Sequence, residues 1–346
     1  MISYDYSFLK DACIDAGVSK KISEVCVIQE RTGIWLNFYP DAFSELESGR
    51  IADSVYCSNA IEHIASSRER VTDIINGSEP RNETELKIEG YYSALTHLEN
   101  AGMTGIKILM ATDLHRILME KYYDQPGCFR NDDSPHQGYG VMSTVRCPVK
   151  HQMIKEAFTR LCSSSEAILS DSSVEPLISI PCIMLDFINL SPFRNGNGRM
   201  YRLLLHHLLS TRGYGFLKYV SLDRELLEDA KAHTFSIYNS VPNYEGRMKN
   251  YAPFISNIVD NVWKAAKRLD SMFPNPSLGR LSKYERIRLA AESRNSVFSK
   301  SDILLNCPGI APVTIQQALS GMVERGVLKR IGTTKGVRYE RVRDTE

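Results

Sequence analysis

Leu190-Ser191-Pro192-Phe193-Arg194-Asn195-Gly196-Asn197-Gly198-Arg199-Met200-Tyr201-Arg202 is the stretch from which this chain is best read. Asn195-Gly-Asn-Gly198 comes immediately before an amphipathic helix expected over 197–211, with Leu203, Leu204, Leu208 and Leu209 on its apolar side. Glycines let a backbone turn tightly and approach a ligand. The first turn of a helix offers unpaired N–H groups and the positive end of its dipole, which suits a phosphate. Arg199 and Arg202 are three apart and share a helix face, so two guanidinium groups stand beside an anion-binding turn. A plain Gly-rich helix start with two surface arginines has the same spacing.

Outward from this stretch, helical periodicity prevails. Helices are expected over 41–69, over 83–121 with a break near Gly102 and Gly105, and over 149–163, 175–190, 221–240 and 246–269. Residues 122–148 differ. Turn residues surround a short β-prone run, Val141–Val145, and predict a hairpin or flap. Phe273-Pro-Asn-Pro-Ser-Leu-Gly279 reads as a linker. Beyond it, helices over 282–295, 299–305 and 311–325 precede two short strands, the order of a winged helix. The fold class is therefore mainly α with a small β-hairpin flap. Its parts are an N-terminal helical region (1–85), a core (86–272), a linker (273–280) and a winged-helix domain (281–346).

The 346 residues carry 42 basic and 41 acidic side chains, a net charge of +1. That excludes a surface basic throughout but not a basic patch. Hydrophobic residues are 43% and charged residues 24%, which argues against wholesale disorder. No apolar run reaches the roughly 20 residues a membrane helix needs. The eight cysteines form neither a CxxC pair nor a metal-ligand cluster, and no signal peptide is evident at the N-terminus. We expect a cytoplasmic protein with reduced thiols and no membrane partner.

Phe-Arg-Asn-Gly-Asn-Gly-Arg-Met-Tyr-Arg (193–202) resembles the Fic-domain signature, HPFx[D/N]GNGRxxR, with Phe187 four residues before position 191 as in the family's F-x-x-[IL]-H run. The resemblance spans roughly residues 40–270. It implies a Fic-type helical core that binds ATP with Mg²⁺ and transfers AMP to a protein hydroxyl. The nucleotide would meet Phe193, Asn195, Gly196, Asn197, Gly198, Arg199 and Arg202. Ser58-Asn-Ala-Ile-Glu62-His63 resembles the family's inhibitory motif, [ST]xxxE[GN], with His63 as the departure. The resemblance implies that Ser58 and Glu62 form an autoinhibitory element, Glu62 pairing with Arg202 and obstructing the γ-phosphate. It also implies that the flap aligns a target segment by strand pairing and that Phe235 and Tyr238 lie near the adenine.

Two positions depart from the signature. Ser191 stands where the family has the histidine that removes the hydroxyl proton, and Asn195 stands at the metal position. Imidazole titrates near neutrality and serves as a general base. A serine hydroxyl does not, without an activating base of its own. Asn195 still offers Mg²⁺ a carbonyl oxygen, without the charge of a carboxylate. Ser191 is compatible with three readings: transfer weakened or lost, a different chemistry whose base comes from elsewhere, or an introduced change. His136, His206 and His207 are the alternative bases considered, and each also reads as an ordinary surface or helix histidine.

Residues 325–343 hold Arg325, Lys329, Arg330, Lys335, Arg338, Arg341 and Arg343 against one acid, Glu340. The preceding helix carries Thr314, Gln316, Gln317 and Ser320. Gln316, Gln317, Lys329, Arg330, Lys335 and Arg338 are candidate contacts to duplex DNA. A solvated hairpin on a protein-contact module reads equally well. The alternative function is thus a DNA- or protein-binding regulator in which the Fic fold only senses nucleotide or mediates assembly, a homo-oligomer included.

Overall fold

The long helical periodicities fold as helices, fourteen among the described residues. The computed structural model describes residues 4–102, 105–133, 149–240, 250–273, 282–294, 296–307, 309–332 and 336–342. The chain forms two units: Met1–Cys26 with Gly49–Arg268, and Val27–Ser48 with Leu269–Glu346. The N-terminal helices α1 (Ala16–Phe38) and α2 (Pro40–Ile61) each contribute residues to both.

The first unit continues with α3 (Arg68–Ile75), α4 (Glu83–Asn100), α5 (Ile108–Met119), α6 (Ile154–Leu169), α7 (Pro176–Leu190), α8 (Asn197–Thr211), α9 (Leu222–Glu228), α10 (Ala230–Ser240) and most of α11 (Ala252–Asp270). The sequence of α7 is almost continuously apolar, and every residue from Leu177 to Leu190 is buried. It packs between α6 and α8, while α4 packs against α5 and α8. Gly90 permits the α4–α5 approach, because a Cβ there would stand 2.4 Å from the carbonyl oxygen of Leu118. The close approach brings α5 to the turn that joins α7 to α8.

Several element limits differ from expectation. The helix expected over 41–69 stops at Ile61, because His63 takes a left-handed conformation (φ 58°). Ser67 then caps a separate helix, its Oγ accepting from the Arg70 N–H. The 221–240 segment divides at Asp229 into α9 and α10. The expected strand Val141–Val145 and His136 lie outside the described residues, as does Lys335.

In the second unit, α12 (Lys283–Glu292), β1 (Phe298–Ser299), α13 (Lys300–Asn306), α14 (Pro312–Glu324), β2 (Leu328–Ile331) and β3 (Arg338–Arg341) follow in order. Capping boxes at Ser282/Glu285 and Ser299/Asp302 start α12 and α13. The three strands form an antiparallel sheet in the order β1-β3-β2. Its core gathers Phe38, Ile287, Phe298, Ile315, Leu319 and Tyr339. Phe273, read as the first linker residue, instead stacks on Phe43 (4.8 Å between ring centroids) and Trp35 (5.2 Å). The rest of that linker, 274–280, lies outside the described residues. Among the described residues no helix is long and apolar enough to cross a membrane.

Candidate functional site

The α7–α8 turn is built from two left-handed residues. Ser191 caps α7 with φ 41° and Gly196 caps α8 with φ 77°. Gly196 is required twice: by its φ, and because a Cβ would meet Met119 Sδ at 3.0 Å and His115 Nε2 at 3.5 Å. No side chain caps α8, so its first-turn N–H groups remain available to an anion. The helix starts at Asn197, so Asn197 and Gly198 form its first turn.

Two of the predicted contacts serve the turn itself. Phe193 is fully buried, stacked face to face on His115 (3.9 Å, 3°) and beside Phe129 (5.7 Å). The Asn197 amide donates to the Phe193 carbonyl oxygen at 2.6 Å and accepts from the Phe193 N–H at 3.1 Å. Asn195 is exposed at the apex. Arg199 is buried, its guanidinium against Met119 Sδ (3.3 Å), the Lys87 carbonyl (3.4 Å) and the Tyr122 ring (5.7 Å). No carboxylate pairs with it among the described residues.

Arg202 is held differently. Its side chain is 1% exposed. Nε donates to Ser58 Oγ at 2.6 Å, and Nη2 donates to the Ser58 carbonyl at 2.9 Å and to Glu62 Oε1 at 3.0 Å. Ser58 lies on the last turn of α2 and Glu62 just past its end. Ser58, Glu62 and Arg202 are thus brought together in one buried cluster. Asp223 Oδ1 stands 3.8 Å behind, from Arg202 Nε. Burial pushes the Asp223 carboxyl up, against the downward pull of Arg202 and His206.

Ser191 is fully buried, and its hydroxyl donates to the Ile188 carbonyl at 2.6 Å, back into its own helix. Arg130, also buried, donates from Nε to the Ser191 carbonyl at 3.1 Å and from its other nitrogens to Asp132, Asp133 and the Val149 carbonyl. The Arg130 N–H also bonds the Pro192 carbonyl at 2.9 Å. One side chain therefore ties the motif to both flanks of 134–148. Arg130 and His115 were not singled out from the sequence. The His115 ring accepts the Gly127 N–H at Nδ1 (2.9 Å), which leaves Nε2–H to donate to the Asn195 carbonyl (3.1 Å). Burial pushes its pKa down to about 4, so it stays neutral.

The other residues considered lie apart from this cluster or are engaged elsewhere. His206 is buried with Nε2 3.5 Å from Glu99, and His207 is buried. Phe235 and Tyr238 are 65% and 58% exposed on α10, so neither is core. In the second unit, Gln316 is half-buried with its amide donating to Tyr339 Oη at 3.1 Å, whereas Gln317, Lys329, Arg330 and Arg338 are exposed.

The polypeptide around this turn, residues 106–209, matches the Fic/DOC family. A Fic family protein from Desulfovibrio desulfuricans has a similar structure, at 16% identity and a TM-score of 0.62, over 97% of this chain and 98% of that one. Fic-1 of C. elegans is similar at 19% identity and a TM-score of 0.58, over 74% and 73%. A Fic-domain-containing signaling protein from Bacteroides thetaiotaomicron is similar at 15% identity and a TM-score of 0.54, over 70% and 97%. At these identities the likeness is one of fold. No curated protein matches the chain.

Proposed function

We propose that this Fic-domain protein binds ATP at the Asn195–Arg202 turn, is restrained there by Glu62, and has lost most or all capacity to transfer AMP to protein hydroxyls because Ser191 replaces a base. The observation that carries the restraint is the occupancy of Arg202. A carboxylate 3.0 Å from its guanidinium takes the position a phosphate oxygen needs. Arg199, with no acid of its own, and the uncapped first turn of α8 remain to attract the anion.

The loss of transfer rests on three engaged groups. Ser191 Oγ is buried and spends its proton on Ile188. Both His115 nitrogens are used within the fold, and His206 faces Glu99. His115 has no free nitrogen for proton abstraction, and the His206 nitrogen without a partner, Nδ1, is buried in the fold. Mg²⁺ fits this turn only as a companion of the triphosphate. Among the described residues no cluster of three His, Cys, Asp or Glu is present, and Asn195 offers one neutral amide oxygen. Bound there, the ion would neutralise phosphate charge, with Asn195 as its protein ligand.

Calorimetric titration with Mg–ATP tests the binding. Glu62→Gly is expected to bind at least tenfold more tightly than the parent chain, and Arg199→Ala in that background to lose the gain. Equal affinity in all three proteins would place the nucleotide elsewhere and overturn the reading.

A further inference from the structure

Many charged side chains of this near-neutral chain are paired: Lys21 with Asp260 (2.5 Å), Arg31 with Asp270 (2.9 Å), Arg70 with Glu85 (2.6 Å), Arg268 with Glu225 (2.6 Å). The β2–β3 hairpin is different. Lys329, Arg330, Arg338 and Arg341 are all exposed on two four-residue strands. Lys329, Arg338 and Arg341 form no ion pair within 4 Å among the described residues. Among the described residues, the Arg341 guanidinium donates to the Glu292 carbonyl, at 3.0 Å.

The pairing register distributes these cations. Directly opposed residues share a face of an antiparallel pair. Lys329 opposes Glu340 and Ile331 opposes Arg338 on one face, while Arg330 opposes Tyr339 and Leu328 opposes Arg341 on the other. Buried Leu328 and Tyr339 mark the second face as the one over the core. Each face thus carries two cations, and the hairpin as a whole carries one acid. Lys329 and Arg338 on the outer face, with Arg330 and Arg341 also exposed, make a cationic ridge that fits a polyanion.

The helix that leads into this hairpin has a complementary character. Ile315, Leu319 and Met322 of α14 point into the core. Val313 (67% exposed), Gln317 and Ser320 form an outer stripe at helical spacing, with no charge until Glu324. Such a stripe would be a poor phosphate binder and an apt reader of base edges: a Gln amide pairs bidentately with adenine, and a Val methyl meets the thymine methyl. Gln316, tied to Tyr339, is not part of it.

We propose that residues 282–342 form a winged-helix reader of duplex DNA, with α14 in the major groove and the hairpin cations on the flanking phosphates. Three helices, a short first strand and a hairpin, in the sheet order β1-β3-β2, are the elements of that device. The proposal is independent of the nucleotide site. A-form RNA duplexes, whose major groove is too narrow for a helix, are excluded as the preferred partner.

The test is fluorescence anisotropy of a labelled random-sequence DNA duplex with the full chain, across a salt series. The parent is expected to bind with a log K that falls linearly with log salt. Lys329→Glu with Arg338→Glu should bind at least tenfold more weakly, its slope shallower by roughly 0.9 for each lost phosphate contact. The exposed control Lys155→Glu on α6 should leave binding unchanged. Gln317→Ala should retain the salt slope and narrow the difference between A·T-rich and G·C-rich duplexes. The neutral pair Lys329→Gln with Arg338→Gln gives the same reading should the reversed pair not fold. Absence of DNA binding by the parent, an unchanged affinity in the hairpin variants, or tighter binding to duplex RNA would each overturn the proposal.

Discussion

The two ends of the 191–202 turn are both closed, but by different means. At one end Ser191 closes on itself. Its hydroxyl bonds three residues back, and its carbonyl is clamped by Arg130. At the other end Arg202 is closed by Ser58 and by Glu62, 140 residues away in sequence. The first closure is local and is undone only by changing the residue. The second is a tertiary contact with the end of a helix, and it opens when that end moves. A protein arranged this way can free Arg202 while Ser191 stays closed.

Arg202→Ala tests the remote end with the largest expected effect. It strands Glu62 and the buried Asp223 without their cation, and breaking a buried pair typically costs about 3–5 kcal/mol. Urea unfolding should show that loss. Ser191→Ala removes one hydrogen bond and should cost only about 1 kcal/mol in the same assay. Equal costs at the two ends would break the distinction drawn between them.

Glu62→Gln comes next. It preserves shape and removes charge, so the chain should lose about 1.5–3 kcal/mol of stability, the usual worth of a hydrogen bond to an ion. The measurement is again a denaturation midpoint, now at low and high salt. The deficit should persist in high salt, because the Glu62 side chain is only 15% exposed.

Acid tests the buried histidines around the turn. Burial holds His115, under the turn, and His233, beside Tyr201, down at about 4, against an ordinary 6.5. Both remain neutral in the folded chain while unfolded histidine protonates below 6.5. Unfolding therefore takes up protons, and stability falls as pH drops from 6.5 towards 4, by at most about 1.4 kcal/mol per pH unit for each histidine. In denaturation at pH 7 and pH 5, replacing His115 by Asn should shrink the difference between the two. The smallest effect is at His63. Its left-handed backbone (φ 58°) suits glycine, so His63→Gly should raise the unfolding midpoint, by up to about 1 kcal/mol.

What was legible in the sequence was local. Glycines and asparagines between two apolar helices announced the turn, whereas the pairing of Glu62 with Arg202 was implied only by resemblance to a family pattern, and the helix end at Ile61 was not foreseen. The positive φ of residue 63 is a conformation that suits glycine or asparagine, where this chain has histidine. What escaped was tertiary. His115 reaches Asn195 across 80 residues and Arg130 reaches Ser191 across 61, and neither sits in a motif of its own. Asp223 joins Arg202 only because α9 folds back on α8. The union of residues 27–48 with the C-terminal helices likewise depends on packing of Trp35, Phe38 and Phe43, which no spacing reveals. Gln316 shows the converse: a polar residue on a predicted reading helix was legible, but its inward turn onto Tyr339 was not.

The most direct measurement follows label from ATP carrying a tagged α-phosphate onto protein, self-modification included, for Glu62→Gly with and without Ser191→His. Glu62→Gly alone is expected to bind nucleotide and remain unlabelled. Adding the histidine should raise labelling by roughly 10²–10⁴, the usual contribution of a general base. Equal labelling of both proteins would contradict the account, because it would show that the chemistry at this turn does not depend on residue 191.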